Sequence, residues 1–116
     1  MRGHDRQESL VRLAERLRDL RLDELARCRR DSAQTARLLR ELGADPAPAS
    51  APEAALAPVQ ARHADWHHHR RTVLTAAHAA RRDAEAEARE AAQKAFGKAM
   101  VLRSLAKNAG PRKERP

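Results

Sequence analysis

A long stripe of small apolar residues most constrains what this chain can fold into. Its steps are of three or four residues, and its members are Val73, Ala77, Ala80, Ala84, Ala88, Ala91, Ala95, Ala99 and Leu102. Such steps keep side chains on one face of an α-helix, here for about eight turns. Because these side chains are small, a second helix can approach closely. This alanine stripe therefore predicts a long helix packed against a partner helix.

A second apolar stripe lies nearer the N-terminus and indicates another helix. Its members are Leu10, Ala14, Leu17, Leu25, Cys28, Ser32, Ala36 and Leu39. We expect this first helix to begin near Asp5, where Asp5 and Glu8 resemble a capping pair. We expect it to end at Leu42, because Gly43 can adopt the left-handed conformation that closes a helix. Both stripes advance in units of eleven residues, which predicts a nearly straight or slightly right-handed helix pair.

A proline-rich segment separates the two predicted helices. Residues 44–58 contain four prolines, which prevent a continuous helix and predict a stiff turn. Ser50 and Glu53 could cap a short helical piece within this turn. The second helix is expected over about 59–109, followed by a basic disordered tail over 110–116.

The two stripes can be matched by folding the chain back near Ser50. Cys28 then lies opposite Val73, and Leu10 lies opposite Ala91. Leucines on the first helix would meet alanines on the second, which favours close packing. The sequence therefore predicts an all-α protein, an antiparallel two-helix coiled-coil hairpin with unequal helices. The second helix is expected to extend beyond the N-terminus of the first.

Composition agrees with an elongated helical protein that needs a partner. The 116 residues include one Trp, one Phe and no Tyr, so the large side chains of a globular core are scarce. Alanine buries little area, which predicts binding to a partner or self-association. No segment has the length and apolarity of a membrane span, and we expect a cytoplasmic protein. Cys28, the single cysteine, is expected to be a buried structural thiol.

The sequence offers no arrangement for catalysis. It lacks a nucleotide-binding loop, a nucleophile elbow, a CxxC pair and a zinc-protease motif, so we expect neither enzymatic activity nor a cofactor. The histidine-rich segment is the remaining candidate for chemistry. His63 and His67 lie one turn apart and could bind a divalent metal, with His78 further along the same face. No third ligand lies within one turn, so we expect a solvated segment without a metal.

Two clusters of large apolar residues stand out near the ends of the second helix. The first is a candidate partner-binding site composed of Phe96, Met100, Val101, Leu102 and Leu105. It lies where the first helix is expected to run out, and it either docks a partner or is covered by Leu10, Val11 and Leu13. The second cluster is expected to brace the turn and comprises Leu38, Leu39, Leu42, Leu56, Val59 and Trp66.

The net charge of +8 leaves two further functions open. Arginine doublets at 29–30, 70–71 and 81–82 could follow a phosphate backbone, as in a basic nucleic-acid-binding or nucleoid-associated protein. Interleaved acidic residues and the lack of stacking aromatic side chains weigh against that interpretation. A self-assembling structural coiled coil is the other alternative. An acidic protein surface would also suit this charge.

Two long segments give the chain a resemblance to a known family. They are RLAERLRDLRLDELARCRR and EAEAREAAQKAFGKAMVLRSLA, rich in Arg, Ala, Glu and Gln and predicted to lie on antiparallel helices. In this architecture the chain resembles the FliJ family of flagellar export proteins and its type III secretion counterparts. The resemblance implies a soluble coupling factor or chaperone that meets the export ATPase ring and the export gate through its helical hairpin.

Overall fold

The chain forms an all-α helical hairpin, as the sequence predicts. The computed structural model describes residues 2–46 and 55–112, and it places α1 at Arg2–Leu42 and α2 at Ala57–Arg112. The hairpin divides into two compact units. The terminal unit comprises Met1–Arg29 and Ala84–Pro116, and the turn unit comprises Arg30–Asp83.

The N-terminal end of α1 differs from the expected capping pair. The helix begins at Arg2, so Asp5 lies inside its first turn instead of preceding it. A carboxylate in the first turn is stabilised by the positive end of the helix dipole, which requires no capping geometry. Glu8 pairs with His4, with 3.0 Å between Oε1 and Nε2, in place of the expected contact with Asp5.

The second helix is longer than expected at both ends. α2 begins at Ala57, has Pro58 in its first turn, and continues through Gly110 and Pro111 to Arg112. Proline removes one backbone donor, but its fixed φ is compatible with a helix. The predicted cap at Ser50 and Glu53 lies outside the described residues, as do residues 113–116 of the predicted tail.

The C-terminal end of α1 is closed by a glycine and by two side chains of α2. Gly43 has a φ of +74° and donates its N–H to the Leu39 carbonyl at 3.3 Å, as expected of a left-handed helix end. His67 donates Nε2–H to the Leu42 carbonyl at 3.1 Å. Arg71 donates to the Gly43 carbonyl at 2.7 Å. Side chains of α2 thus bind two carbonyls at this helix end, those of Leu42 and Gly43.

The buried positions of α1 repeat every seven residues, so the eleven-residue prediction is wrong for this helix. Steps of three and four alternate along its buried and half-buried series, which we call the α1 seam: His4, Gln7, Val11, Ala14, Arg18, Arg21, Leu25, Cys28, Ser32, Thr35, Leu39 and Leu42. Leu10 and Leu17, which were expected to be buried, are exposed. The seam includes polar residues, which a pattern of apolar residues does not contain.

The α2 seam also follows a seven-residue repeat, and the alanine stripe coincides with only part of it. Its buried and half-buried members are Gln60, Ala64, His67, Leu74, His78, Arg81, Glu85, Ala88, Ala92, Ala95, Ala99, Leu102 and Ala106. Arg71 occupies the position of the repeat between His67 and Leu74 but is exposed. Val73, Ala80 and Ala84 are exposed, in contrast to the expected burial. An eleven-residue repeat advances more residues per turn than a seven-residue repeat, so the stripe drifts around the helix relative to the seam.

The pairing of the helices is shifted from the predicted register. Cys28, expected opposite Val73, instead borders a groove together with Ala84 and Ala88. In the turn unit, Arg81 donates to the Asp31 carbonyl at 3.0 Å. The shift arises because α1 ends beside His67, so α2 pairs with α1 only from about that residue onward.

The same shift explains why the predicted apolar cluster at the turn does not form. Leu56, Val59 and Trp66 are each more than half exposed. They precede His67, and the last turn of α1 does not extend to them. Trp66 instead stacks against His63, with 6.0 Å between the ring centroids.

Buried polar side chains in the turn unit are held by hydrogen bonds. Thr35 is only 2% exposed. Its hydroxyl lies 2.9 Å from the Ser32 carbonyl and 2.7 Å from His78 Nδ1. A buried polar atom without a partner costs more free energy than the bond itself contributes. This seam therefore depends on matched donors and acceptors between the two helices.

We predict that Ala99→Leu destabilises the protein and that Ala80→Leu does not. Ala99 is 3% exposed, so a larger side chain must displace its neighbours, at about 1 to 3 kcal/mol. Ala80 belongs to the same alanine stripe but is exposed. Urea unfolding followed by circular dichroism measures both variants. Equal destabilisation would contradict the observed register.

We also predict that Thr35→Val lowers the free energy of unfolding by about 1 to 3 kcal/mol. Valine has nearly the same shape as threonine but leaves His78 Nδ1 without its partner hydroxyl. Thr72→Val is the matched control, since the Thr72 hydroxyl is exposed and bonds only the His68 carbonyl of its own helix. Thermal unfolding compares the variants, and similar losses in both would argue against a role for the interhelical bond.

Candidate functional site

A row of four exposed leucines runs along α1 in the terminal unit. The residues are Leu10, Leu13, Leu17 and Leu20, and they are between 39 and 61% exposed. Each immediately precedes a position of the α1 seam, which rotates the row by about 100° from the line of contact with α2. The steps of three, four and three residues are those of a helix that packs against another helix.

The leucines are exposed because the apolar pattern of α1 changes phase once. Leu20 and Leu25 are five residues apart, where a continuous pattern would have a step of three or four. The added residue rotates the pattern by about 100°, so one straight seam cannot bury both parts. Leu25 is buried and Leu20 is exposed. The five-residue step is the sequence signal that could have identified this row.

Two apolar residues of α2 share the side of the molecule on which the leucine row lies. A groove of about 440 Å³ marks that side and is lined by Glu24, Arg27, Cys28, Ala84, Glu87, Ala88 and Ala91. Leu17 precedes Glu24 by seven residues, and Leu20 precedes Arg27 by seven. In the same way, Val101 follows Glu87 by fourteen residues and Leu105 follows Ala91 by fourteen. Since the seam repeats every seven residues, residues that are seven or fourteen apart on one helix lie on the same side of the helix pair.

We call this surface the leucine face. It is the set of exposed large apolar side chains on one side of the terminal unit: Leu10, Leu13, Leu17, Leu20, Val101 and Leu105.

The structure splits the five-residue site predicted on α2. Val101 and Leu105 belong to the leucine face, whereas Leu102 is half-buried in the α2 seam. Phe96 and Met100 are exposed on the opposite side. That side is fixed by the ion pair between Arg103 and Glu15, because Phe96 precedes Arg103 by seven residues.

The first helix does not run out beside this cluster, as the predicted register required. Arg103 of α2 pairs with Glu15, and Lys107 borders a cleft of about 540 Å³ together with His4 and Glu8. Of the three residues expected to cover the cluster, Leu10 and Leu13 are themselves exposed and only Val11 lies in the α1 seam. Four of the five cluster residues stay about half exposed: Phe96, Met100, Val101 and Leu105.

Basic residues flank the leucine face on both helices. Arg6 and Arg16 flank it on α1, and Lys98 flanks it on α2. Among the described residues, none of these three forms an ion pair. The acidic residues of the surround are Asp5, Asp23 and Glu87, which form no ion pair among the described residues, Glu24, which binds Arg21 at 3.2 Å, and Glu90, which binds Lys94 at 3.3 Å.

The structure gives each of the three candidate histidine ligands a different neighbour. His63 stacks on Trp66, and His78 bonds Thr35. His67 is buried, with Nε2 on the Leu42 carbonyl and Nδ1 3.3 Å from Asp45 Oδ1. Within residues 2–46 and 55–112, no three His, Cys, Asp or Glu side chains are grouped as a metal site requires.

Two of the arginine doublets contribute to helix pairing. Arg71 and Arg81 each donate to a backbone carbonyl at or near α1, at 2.7 and 3.0 Å. Arg29 and Arg30 are exposed. The doublets are therefore only in part available to a phosphate backbone.

Comparison with protein-family models, with curated proteins and with solved structures finds no match to this chain. Neither helix, over the part of the chain that the structure describes, combines the length and apolarity needed to cross a membrane.

We predict that His67→Ala destabilises the turn unit by about 1 to 3 kcal/mol, because the Leu42 carbonyl loses its donor. His68→Ala is the matched control, since His68 is the exposed neighbour on the same helix. Hydrogen exchange of the amides in the last turn of α1 should accelerate in the His67 variant alone. Equal exchange in both variants would contradict the capping role.

Proposed function

We propose that this chain is a non-enzymatic helical interaction protein whose leucine face binds a helix of a partner protein. The observation that carries the proposal is the exposed row from Leu10 to Leu20. A helix with leucines at steps of three and four normally buries them against another helix. Here α2 lies along a different line of α1, so no helix in the described part of the chain covers the row.

The form of the surface supports a helical partner more than an extended peptide or a small molecule. The leucines of α1 and the pair Val101 and Leu105 lie in two rows on neighbouring helices of one side. A third helix placed between two such rows can insert its own apolar side chains into both. The helix backbones offer no unpaired strand edge, so recognition depends on these side chains.

The resemblance to the FliJ family names the first partners to test. As an export-coupling factor or chaperone, the protein would act in the cytoplasm and meet the export ATPase or the export gate. Those contacts would use the leucine face, including Val101 and Leu105 of the site predicted on α2.

We predict that Leu13→Gln together with Leu17→Gln abolishes capture of the export ATPase and of the cytoplasmic part of the export gate. Both leucines are exposed, so glutamine removes apolar contact area without opening a cavity. Binding of the purified full chain to each purified component is measured by sedimentation. Circular dichroism verifies that the variant keeps its helices.

Two controls make the test specific for one side of the molecule. Leu22→Gln changes an exposed leucine that lies seven residues after Glu15 on α1 and therefore on the side opposite the leucine face. Phe96→Gln with Met100→Gln changes the opposite apolar pair on α2. Both controls should bind normally. If the wild-type chain bound neither component, the export role would be rejected. Loss of binding only with Phe96 and Met100 changed would move the site to the other side.

A further inference from the structure

We propose that the leucine face binds an acidic amphipathic helix of a partner protein and not a second copy of this chain. The inference rests on the proposed function, because it specifies the chemistry of the helix which that function requires.

The spacing of the apolar residues sets the pattern of the bound helix. Leu10 and Leu20 are ten residues apart, about 15 Å along α1, so the row matches about three turns of a partner helix. An open groove of about 380 Å³ adjoins it and is lined by Asp5, Arg6, Ser9, Leu10 and Leu13. The partner therefore needs large apolar residues at steps of three and four over at least two heptads.

The charges around the face specify the flanking residues of the partner. Arg6, Arg16 and Lys98 are exposed and make no ion pair among the described residues. Glu24 and Glu90 are paired with Arg21 and Lys94. Three carboxylates make no ion pair among the described residues: Asp5 precedes the leucine row on α1, Asp23 follows it, and Glu87 lies fourteen residues before Val101 on α2. At Arg16 and Lys98, carboxylates flanking the apolar row of a partner helix would thus meet cations that form no ion pair among the described residues.

The same charges oppose a second copy of this chain as the occupant. Two leucine faces in contact would bring Arg16, which lies beside the middle of the row, near Arg16 of the other copy in either helix direction. Each chain carries a net charge of +8, so long-range repulsion adds to this local repulsion. Like charges across an interface reduce affinity and select against that partner.

A pair of designed peptides tests the inference on the full chain. Each peptide has four heptads with leucine at the two core positions, and its flanking positions are all glutamate in one peptide and all lysine in the other. Repulsion between like flanking charges disfavours self-association of both peptides. Each carries a fluorescent label, and anisotropy reports its binding to the chain at low and high salt.

We expect the glutamate peptide to bind about tenfold more tightly than the lysine peptide at low salt, because several exposed ion pairs together contribute about 1.4 kcal/mol. The difference should shrink in 0.5 M salt, since screening weakens exposed charges (about 4 Å Debye length). Arg16→Glu together with Lys98→Glu should reverse the preference. Leu13→Gln with Leu17→Gln should abolish binding of the glutamate peptide, and Leu22→Gln should leave it unchanged.

Several results would overturn the inference. They are equal binding of the two peptides, binding of neither, displacement of the glutamate peptide by duplex DNA from the same face, and a dimer in sedimentation that the Leu13 and Leu17 changes dissociate. The proposed function fails separately. If neither peptide binds but capture of the export components still depends on Leu13 and Leu17, the helix-binding function stands and the acidic partner is rejected.

Discussion

The five-residue step between Leu20 and Leu25 is the constraint on which the arrangement of the terminal unit depends. A helix turns by about 100° per residue, so one added residue moves an apolar pattern to a different side. Since the seam with α2 keeps a strict seven-residue repeat, α1 can bury Leu25 but not Leu20 on that line. The row from Leu10 to Leu20 is exposed because the apolar residues before and after the five-residue step lie on different sides of α1.

The two units meet the requirement for close helix contact with different chemistry. In the terminal unit the most buried residues of α2 are Ala92, Ala95 and Ala99, whose small side chains allow the backbones to approach. In the turn unit the buried residues include Thr35 and His67, and their polar atoms bond across the helix pair. Alanine contributes little hydrophobic free energy. Most large apolar side chains of the terminal unit remain exposed and are therefore available for intermolecular contact.

An interaction surface of this kind uses both helices and depends on their register. Val101 and Leu105 join the leucine row only because the seam of α2 places them on that side. The basic residues around the face then add a charge preference to an apolar site. Apolar area supplies affinity, whereas charge complementarity contributes mainly to partner choice and association rate.

The sequence by itself determined the all-α hairpin, the proline-rich separation of the helices and the left-handed end at Gly43, because helical periodicity, proline and glycine act locally. The candidate site was predicted only in part. The sequence identifies Val101 and Leu105 but places Leu10 and Leu17 in the buried stripe. Only the tertiary structure decided the register and therefore which residues are exposed. That choice depends on polar contacts such as Thr35 with His78, between residues far apart in the chain, which a pattern of apolar residues does not contain.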